Sequence, residues 1–453
     1  MKRTVMFLAV TCLLSGCGIY GRFSRPDLGV AVDSLYRAPM AADDTSSMAS
    51  MSWRGLFTDP ELQALIDAGL ANNTDLGVAR LQVEEAQAAL ANARLSYLPS
   101  LNLTPQAGVS RYDGETRKTY DLGAAASWEL DVFGKAANAR RGAAAVLEQR
   151  QAYSQAVQTQ LVATIAESYY TLLMLDEQLA VSGQTLANWD ETIAAMEALV
   201  EAGKVNDVAV RQARAGRAEL EASVLTVRRS ISEMENSLCA LLKETPHTVV
   251  RGTLEGQQFP DALSAGVPLL LLSNRPDVRQ SEAALAEAFY AANAARSAFY
   301  PSLTLSGTLG WTNSGGNIVN PGKWLANAVA QLTAPLFNKG TNVANLKIAK
   351  ARQQEAVLAF EQSLLDAGND VNNAVAEWQT ADGRIRLDAQ RISDLEAAVE
   401  KTRLLMRCTS VNYLEVLTAQ QSLLAARLTL AQDRTARIYG VIHLYHALGG
   451  GRD

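Results

Sequence analysis

The sequence has few of the residues that build a bulky globular core or a chemical site. Aromatic residues make up 6% of the chain, whereas apolar residues together make up 48%. The apolar content is therefore mostly Ala, Leu and Val, a composition typical of long, closely packed helices. The four cysteines form no C-x-x-C spacing, which argues against a zinc site and a disulfide framework. The formal charge of −6 argues against a nucleic-acid-binding protein, which usually carries a basic surface.

Proline is missing from two long stretches of the chain. None lies between Pro105 and Pro246, and none follows Pro335. Because proline kinks a helix interior, its absence permits very long helices here. A run of about 18 apolar residues is also missing, so no transmembrane helix is expected and any membrane crossing would have to use β-strands.

The N-terminus is typical of a signal peptide. Lys2 and Arg3 precede an apolar segment over 5–14, which is too short to span a membrane as a helix. The sequence Leu-Ser-Gly-Cys then ends at Cys17 and resembles the bacterial lipobox, whose cysteine becomes the acylated first residue. We predict a signal peptide over 1–16, lipidation at Cys17 and a lipidated N-terminal linker over 17–52. The alternative is an ordinary signal peptide with a chance cysteine.

The rest of the chain is predicted to be a tandem duplication. The stretch YLPSLNL at Tyr97–Leu103 returns as FYPSLTL at Phe299–Leu305, about 200 residues later. Other pairs of short segments keep nearly the same offset. We predict a first structural repeat over 53–246, a linker over 247–270 and a second repeat over 271–453. Each repeat is expected to contain a helix, then a β-hairpin (100–133 or 302–337), then long helices (135–243 or 341–448).

The long helical stretches carry a strict seven-residue repeat of apolar residues. An ordinary amphipathic helix would drift from this spacing within a few turns, so the pattern predicts coiled-coil packing. The two copies share one register. The repeat positions are Ile165, Leu172, Leu179, Leu186, Ile193 and Val200 in the first copy, and Val357, Leu364, Val371, Trp378, Ile385, Ile392, Val399 and Met406 in the second.

Both predicted hairpins alternate apolar and polar residues with period two. Leu303, Leu305, Leu309 and Trp311 alternate with threonine and serine, and the segments approach the ~9–11 residues of a membrane β-strand. Soluble hairpins give a similar but usually shorter pattern. Four strands cannot close a barrel, since about eight are the usual minimum, so membrane-spanning strands would require several chains.

Several motifs in this order resemble the outer membrane efflux proteins of the TolC/OprM type, lipoprotein branch. The resemblance covers nearly the whole chain and implies a mixed α and β membrane protein, in which a long antiparallel coiled-coil α-barrel continues into a trimer-built 12-stranded β-barrel with four strands per chain. The motifs are Cys17 with Tyr20 and Pro26, the W-x-x-x-F-x-D-P-x-L segment Trp53–Leu62, the RPD segment Asn274–Val278 with Phe299–Leu303, the PLFxxG segment Pro335–Gly340, the YLxVLxAQ segment Tyr413–Gln420 and the ALGGG tail Ala447–Gly451.

The resemblance also implies function. The chain is expected to be the outer membrane exit duct of a tripartite efflux pump for small toxic molecules, namely drugs, with metals as a further class of cargo. It would assemble as a homotrimer with a periplasmic adaptor and an inner-membrane transporter, in the outer membrane of a Gram-negative bacterium. No enzymatic activity, catalytic residue, cofactor or bound metal is expected. The same architecture also serves type I protein secretion, and a non-channel, lipid-anchored periplasmic coiled-coil scaffold is a second alternative.

The gate is expected at two turns between long helices. In the family, acidic residues after the second turn form a ring at the periplasmic entrance. Glu415 holds one acidic position, while Thr418 replaces a second acid that some members carry. Met406 and Val411 replace the Tyr and Arg of the family's closing bonds, which makes Arg407 a candidate substitute. The expected gate residues are Gly203, Lys204, Val205, Asn206, Arg407, Cys408, Thr409, Ser410, Val411 and Asn412.

His443 and His446 share an i, i+3 helical face that could hold a metal ion. Neither has a carboxylate or cysteine motif next to it in the sequence. We therefore predict polar helix positions rather than a metal site. The glycines of the tail are expected to stop the last helix.

Overall fold

A computed structural model of the chain describes residues 21–27, 29–31, 35, 48, 51–203, 206–257, 259, 274–313, 322–408 and 413–452. Cys17 and half of the predicted linker between the repeats lie outside these residues. Within them, no helix combines the length and the hydropathy needed to cross a membrane. The helices are α1 (Trp53–Leu56), α2 (Pro60–Asn72), α3 (Thr74–Leu95), α4 (Lys135–Glu201), α5 (Asp207–Leu242), α6 (Pro276–Ser297), α7 (Thr341–Cys408) and α8 (Tyr413–Ala447). The strands are β1 (Ser100–Leu103), β2 (Gln106–Tyr112), β3 (Glu115–Leu130), β4 (Ser302–Thr312) and β5 (Lys323–Thr333).

The two halves of the chain repeat the same order of elements with nearly the same lengths. Helices α3 and α6 both have 22 residues. The long helices α4 and α7 have 67 and 68 residues, or about 100 Å each at about 1.5 Å per residue. Helices α5 and α8 have 36 and 35 residues. The predicted internal duplication is confirmed.

Prolines mark where helix gives way to strand. Helix α3 ends at Leu95 and α6 ends at Ser297, each shortly before a proline that disfavours helix in the preceding residue. The first strand of each copy then begins at the residue after that proline, Ser100 or Ser302. The repeated segment, Tyr97–Leu103 in one copy and Phe299–Leu305 in the other, is thus a helix-to-strand junction.

The seven-residue repeat is the buried side of the long helices. All repeat positions described in α4 and α7 are buried or half-buried, and none is exposed. Ile165, Leu172 and Leu364 are 0% exposed. The prediction of long coiled-coil helices is therefore confirmed, because a strict repeat keeps the same side of each helix turned toward neighbouring helices.

The strands form one antiparallel sheet in the order β1-β3-β4-β5, with β2 also paired to β3. Strands β1 and β2 follow one register along β3, because Leu103 faces Ala124 and Gln106 faces Asp121. Pro105 separates them, since proline has no N–H to donate to the ladder. The sheet thus has four lines of chain, as the sequence predicted, and the fold is of the expected mixed α and β class.

Contacts divide the chain into two compact units. The first consists of the N-terminal segment up to Gly29 with Leu81–Ala152 and Arg279–Gln362, and it contains the sheet. In this unit Arg25 forms two 2.9 Å hydrogen bonds to the carboxylate of Glu282 on α6. Phe23 packs edge-on against Phe289, so the segment that follows the predicted lipid anchor is fastened to α6.

The second unit consists of Val30–Arg80, Tyr153–Val278 and Ser363–Asp453. Asp59 caps α2 by accepting a hydrogen bond from the Glu61 N–H at 3.0 Å, and Pro60 follows at the first helical position, where a missing N–H costs nothing. The same carboxylate accepts a 2.7 Å hydrogen bond from Tyr169 and a 2.8 Å bond from Gln257. Part of the W-x-x-x-F-x-D-P segment thus fixes α2 against α4.

Candidate functional site

The two faces of the sheet differ in polarity. Residues directly opposite each other in an antiparallel pair point to the same face, so the register assigns every strand residue to one of them. The outer apolar face contains Leu101, Leu103, Ala107, Val109, Arg111, Thr116, Lys118, Tyr120, Leu122, Ala124, Ala126, Trp128, Leu130, Leu303, Leu305, Gly307, Leu309, Trp311, Trp324, Ala326, Ala328, Ala330 and Leu332. Apart from Arg111, Thr116 and Lys118 at one end, this face is apolar or aromatic throughout.

Aromatic residues mark both ends of the apolar face. Trp128 lies toward the end where the helices attach, and its indole N–H donates a 2.9 Å hydrogen bond to the carbonyl oxygen of Tyr97. Trp311 and Trp324 stack at 5.5 Å toward the other end, beside Tyr120. The span from Leu130 to Tyr120 is about 34 Å along the strand at about 3.4 Å per residue. A tilt of ~40° reduces it to ~26 Å, close to the ~25 Å apolar band of an outer-membrane barrel.

The opposite face of the sheet is polar. Thr304, Ser306 and Thr308 occupy its middle, and Glu129 pairs with Thr304 across the β3–β4 ladder. Asn327 and Gln331 continue the polar rows onto β5. One face of the sheet therefore suits hydrocarbon and the other suits water, which is the division needed by a wall between lipid and an aqueous pore.

The first predicted gate turn is described in part. Helix α4 ends at Glu201, and Gly203 follows with a φ of +68°, a backbone conformation that glycine adopts without strain. Lys204 and Val205 lie outside the described residues. Asn206 precedes α5 but its side chain makes no capping hydrogen bond. The adjacent Asp207 forms an exposed ion pair with Arg211, with 2.6 Å between Oδ2 and Nε.

The second predicted gate turn lies largely outside the described residues, which omit Thr409, Ser410, Val411 and Asn412. Helix α7 reaches Cys408 and includes Arg407 in its last turn. The side chains of these two residues are not among the described atoms, so the substitution of Arg407 for the family's closing bonds stays a prediction.

Glu415 and Thr418 share one exposed face in the first turns of α8. Thr418 donates a 2.7 Å hydrogen bond to the carbonyl oxygen of Leu414, while the Glu415 carboxylate stands in the first turn, where the helix dipole favours a negative charge. Val416 is 1% exposed and Leu417 is 5% exposed. The helix therefore turns the predicted entrance residues away from the core that holds it.

That core is a feature which the sequence did not reveal. Leu417 of α8 joins a buried cluster with residues of α4 and α5. Trp189 lies across Gly216, where an added Cβ would approach the ring to 2.4 Å. Gln420 of α8 donates a 3.0 Å hydrogen bond to Thr192 of α4. The remaining members of the cluster are Ile193, Met196, Ala209, Val210 and Ala213.

The RPD segment and the ALGGG tail meet at Arg275. This guanidinium is buried and forms hydrogen bonds to both carboxylate oxygens of Asp277, at 2.9 and 2.6 Å, and a 2.8 Å bond to Asp370 on α7. It also donates a 3.1 Å hydrogen bond to the carbonyl oxygen of Ala447 at the end of α8. Burial opposes ionisation of Asp277, but the hydrogen bonds and charge of Arg275 outweigh it and hold the pKa of this carboxyl below its usual value.

The glycine tail stops α8, as predicted. The N–H groups of Gly449 and Gly450 donate to the carbonyl oxygens of His446 and Tyr445 at 2.8 and 2.9 Å, the pattern of a glycine-terminated helix. Gly449 has a φ of +83°, and an added Cβ would approach the carbonyl oxygen of Asn274 to 2.5 Å. Glycine is thus required by both conformation and space.

His443 has two carboxylate partners that the sequence did not reveal. Its Nδ1 lies 2.7 Å from Glu377 Oε2 on α7, and its Nε2 lies 3.1 Å from Glu167 Oε1 on α4. The hydrogen bond to Glu167 raises the pKa of His443 to about 9, and the hydrogen bond to Glu377 adds to the effect. Burial acts in the opposite direction and is outweighed. The imidazolium therefore bridges two helices.

His446 does not join this arrangement. Burial, together with the positive charge of Arg275, lowers its pKa. Among the described residues no group of three or more His, Cys, Asp and Glu side chains could hold a metal ion. The interpretation of the two histidines as polar helix positions therefore needs one correction, because His443 is a charged link between α4, α7 and α8.

The fold and its two-faced sheet define a class: a membrane channel component built on long coiled-coil helices. The sequence profile of the outer membrane efflux protein family matches residues 65–243 and 267–450. The cation efflux system protein CusC of Escherichia coli O6:H1 is 31% identical over 98% of this chain and 97% of its own length. The probable outer membrane lipoprotein SilC of Salmonella typhimurium is 30% identical over 99% of both chains.

Solved structures agree with this assignment. The MtrE outer membrane channel of Neisseria gonorrhoeae, in its open state, superposes with a TM-score of 0.87 at 28% identity, covering 96% of this chain and 99% of that one. The chain belongs to the outer membrane efflux protein family. It is an outer membrane protein of the efflux channel class, and the resemblance seen in its motifs is confirmed.

Proposed function

We propose that three copies of this chain form the gated outer membrane duct of a tripartite efflux pump. The observation that carries the proposal is the sheet, which has four lines of chain, one apolar face and one polar face. Four lines cannot close around a pore, whereas twelve from three chains can form a barrel with a water-filled interior. The apolar face of the sheet then contacts lipid outside the barrel, and the polar face contacts water inside it.

The gate and the entrance lie at the ends of α4, α5, α7 and α8 that flank the two predicted turns. Gly203 and Asn206 flank the first turn, and Glu415 and Thr418 follow the second. Three Glu415 carboxylates, one from each chain, form a single acidic ring at the narrow entrance. Because Thr418 is neutral, the ring attracts cations less strongly than a doubled ring of acids would.

A lipid on Cys17 supplements the hold of the barrel on the membrane. The acyl chains add a modest anchor beside twelve membrane strands, and the adjacent segment is fastened to α6 by Arg25. Mass spectrometry of the purified protein tests this assignment. A Cys17→Ser protein should lack the acyl mass and still sediment with the outer membrane.

The partners are a periplasmic adaptor protein and an inner-membrane transporter that supplies the energy. The cargo is small toxic molecules, and the relative named as a cation efflux protein supports including metal cations among them. The duct itself is passive, and the inner-membrane transporter drives export through it.

Deletion of the gene in its bacterium tests the assignment. Sensitivity to salts of toxic metal cations or to antibiotics should rise, the plasmid-borne gene should restore resistance, and the set of secreted proteins should not change. Loss of a secreted protein with unchanged sensitivity would instead indicate type I secretion. A deletion that changes neither would overturn the duct and favour a scaffold.

A further inference from the structure

Charged residues are distributed very unequally between the two faces of the sheet. On the outer apolar face of the described strands the only charged residues are Arg111 and Lys118. Both are positive and exposed in the single chain. The opposite face of the same strands mixes both signs, with Glu115, Arg117, Asp121, Glu129 and Lys323. All the charge on the outer apolar face of the described strands is thus positive.

The two cations are neighbours at one end of the sheet. Val109 faces Lys118 and Arg111 faces Thr116, so Arg111 and Lys118 lie diagonally on adjacent strands, about 7–8 Å apart at Cα. The part of β3 from Glu115 to Tyr120 pairs with β2 and extends past the last β3–β4 pair, Asp121 with Thr312. This part of the hairpin therefore lies beyond the last described β3–β4 pair, at the end of β3 opposite Leu130.

The distance of the two cations from the aromatic row determines which layer of the membrane they contact. Lys118 lies two residues before Tyr120 on the same face, and Arg111 lies one row further out. These are about 7 and 14 Å along the strand, or about 5 and 10 Å along the membrane normal with the same ~40° tilt. A headgroup layer extends roughly 5–8 Å beyond the hydrocarbon on each side of a bilayer, and long cationic side chains reach along a surface to place their charge at that level. Lys118 and Arg111 thus border the headgroups beyond the Trp311, Trp324 and Tyr120 row.

We propose that Arg111 and Lys118 form a binding surface for the anionic phosphate headgroups of membrane lipids at the end of the sheet farthest from the helices. The proposal rests on the membrane placement of the sheet given under the proposed function. Within the described residues neither side chain forms an ion pair with a carboxylate of the chain, so both charges are available to a lipid. Guanidinium and ammonium groups are the usual partners of phosphate oxygens.

Photocrosslinking in vesicles tests the proposal with the full chain. The protein is reconstituted in phosphatidylcholine that contains a trace of phosphatidylglycerol or phosphatidylcholine with a photoreactive headgroup, and crosslinks to residues 106–120 are quantified by mass spectrometry. The phosphatidylglycerol probe should label this hairpin more strongly than the phosphatidylcholine probe does. The Arg111→Gln/Lys118→Gln double variant should reduce its labelling by phosphatidylglycerol several-fold, because it removes both cations that attract the phosphate.

Arg117→Gln is the matched control, because Arg117 lies on the same hairpin but on the polar face. It should leave labelling by phosphatidylglycerol unchanged. Equal losses in both variants, or no loss in the double variant, would overturn the proposal. If inorganic phosphate competes more strongly than chloride at the same ionic strength, the ligand is free phosphate and the lipid assignment is wrong.

A second photoreactive lipid separates this inference from the proposed function. Phosphatidylcholine with the reactive group on its acyl chain should label Leu305 and Leu309 if the sheet lies in the membrane. Absence of that labelling contradicts the membrane placement itself. Acyl-chain labelling without headgroup selectivity contradicts the cationic surface alone.

Discussion

Arg275 Nη1 donates a 3.1 Å hydrogen bond to the carbonyl oxygen of Ala447. The last four carbonyl groups of a helix lack partners within that helix, and this arginine supplies one for α8. Because the same guanidinium also holds Asp277 and Asp370, a single side chain fixes the start of α6 against α7 and α8.

Replacement of Arg275 should therefore destabilise the helical unit. Arg275→Met removes the partner of two carboxylates and of a buried carbonyl, and we expect a loss of about 2–4 kcal/mol. Arg275→Lys should recover only part of it, since an ammonium cannot form the bidentate bond to Asp277. The thermal unfolding midpoint of the purified protein measures the effect. The exposed Arg228→Met on α5 is the control, and an equal drop in both would contradict the role of Arg275.

The link made by His443 should depend on pH. Its pKa is raised from 6.5 to about 9, so the protonated imidazole contributes stability that is fully present below about pH 6.5 and is lost as the pH rises through about 9. His443→Gln should lower the unfolding midpoint at pH 6, by an amount equivalent to roughly 1 kcal/mol because the half-exposed pair is screened by solvent. The variant and the wild type should converge at pH 10. A difference that is constant with pH would show that packing rather than charge connects α4, α7 and α8.

Gly216 should tolerate no side chain. A Cβ there would approach the Trp189 ring to 2.4 Å, whereas Gly183 on α4 has open space within 4 Å. Gly216→Ala should cost about 1–3 kcal/mol through overpacking, while Gly183→Ala should stabilise its helix by about 0.5–1 kcal/mol. Thermal unfolding of both variants checks the pair. The two variants should change the unfolding midpoint in opposite directions. An unchanged midpoint in Gly216→Ala would mean that Trp189 can move aside.

Glu415 should set the charge preference of the entrance. In planar bilayers under a salt gradient, Glu415→Gln should move the reversal potential toward zero. The channel then prefers cations less, because the acidic ring is neutralised. Glu219→Gln on the exposed surface of α5 should have no effect. An unchanged reversal potential in Glu415→Gln would contradict the acidic ring. Thr418→Asp should increase cation preference by restoring the second acidic position.

Local pattern predicted much of this fold. The absence of proline and the heptad positions from Ile165 to Val200 predicted the long α4, because helix periodicity and proline exclusion act within one segment. Period-two alternation predicted which residues of β3 and β4 share a face, because side chains alternate along any strand. The prolines at the junctions predicted where helix ends.

Contacts between distant segments were not predictable in the same way. The carboxylates beside His443 come from α4 and α7, so nothing in its own sequence neighbourhood indicates them. The meeting of Arg275 with Ala447 and the packing of Trp189 on Gly216 likewise depend on how helices lie together. The motifs that carry the family resemblance marked the position of Arg275 without indicating its partners, and Glu415 was found by matching motifs rather than by its environment.

If the sheet separates lipid from a water-filled pore, neighbouring residues on β4 should differ in their access to water. Thr308 lies on the polar face and Leu309 on the apolar face. Thr308→Cys and Leu309→Cys proteins in lipid vesicles are each treated with a charged, membrane-impermeant thiol reagent, with wild type as the background for native cysteines. We expect rapid modification of the cysteine at 308 and protection of the cysteine at 309. Equal modification of both would mean that both faces meet water and that the strands form soluble hairpins.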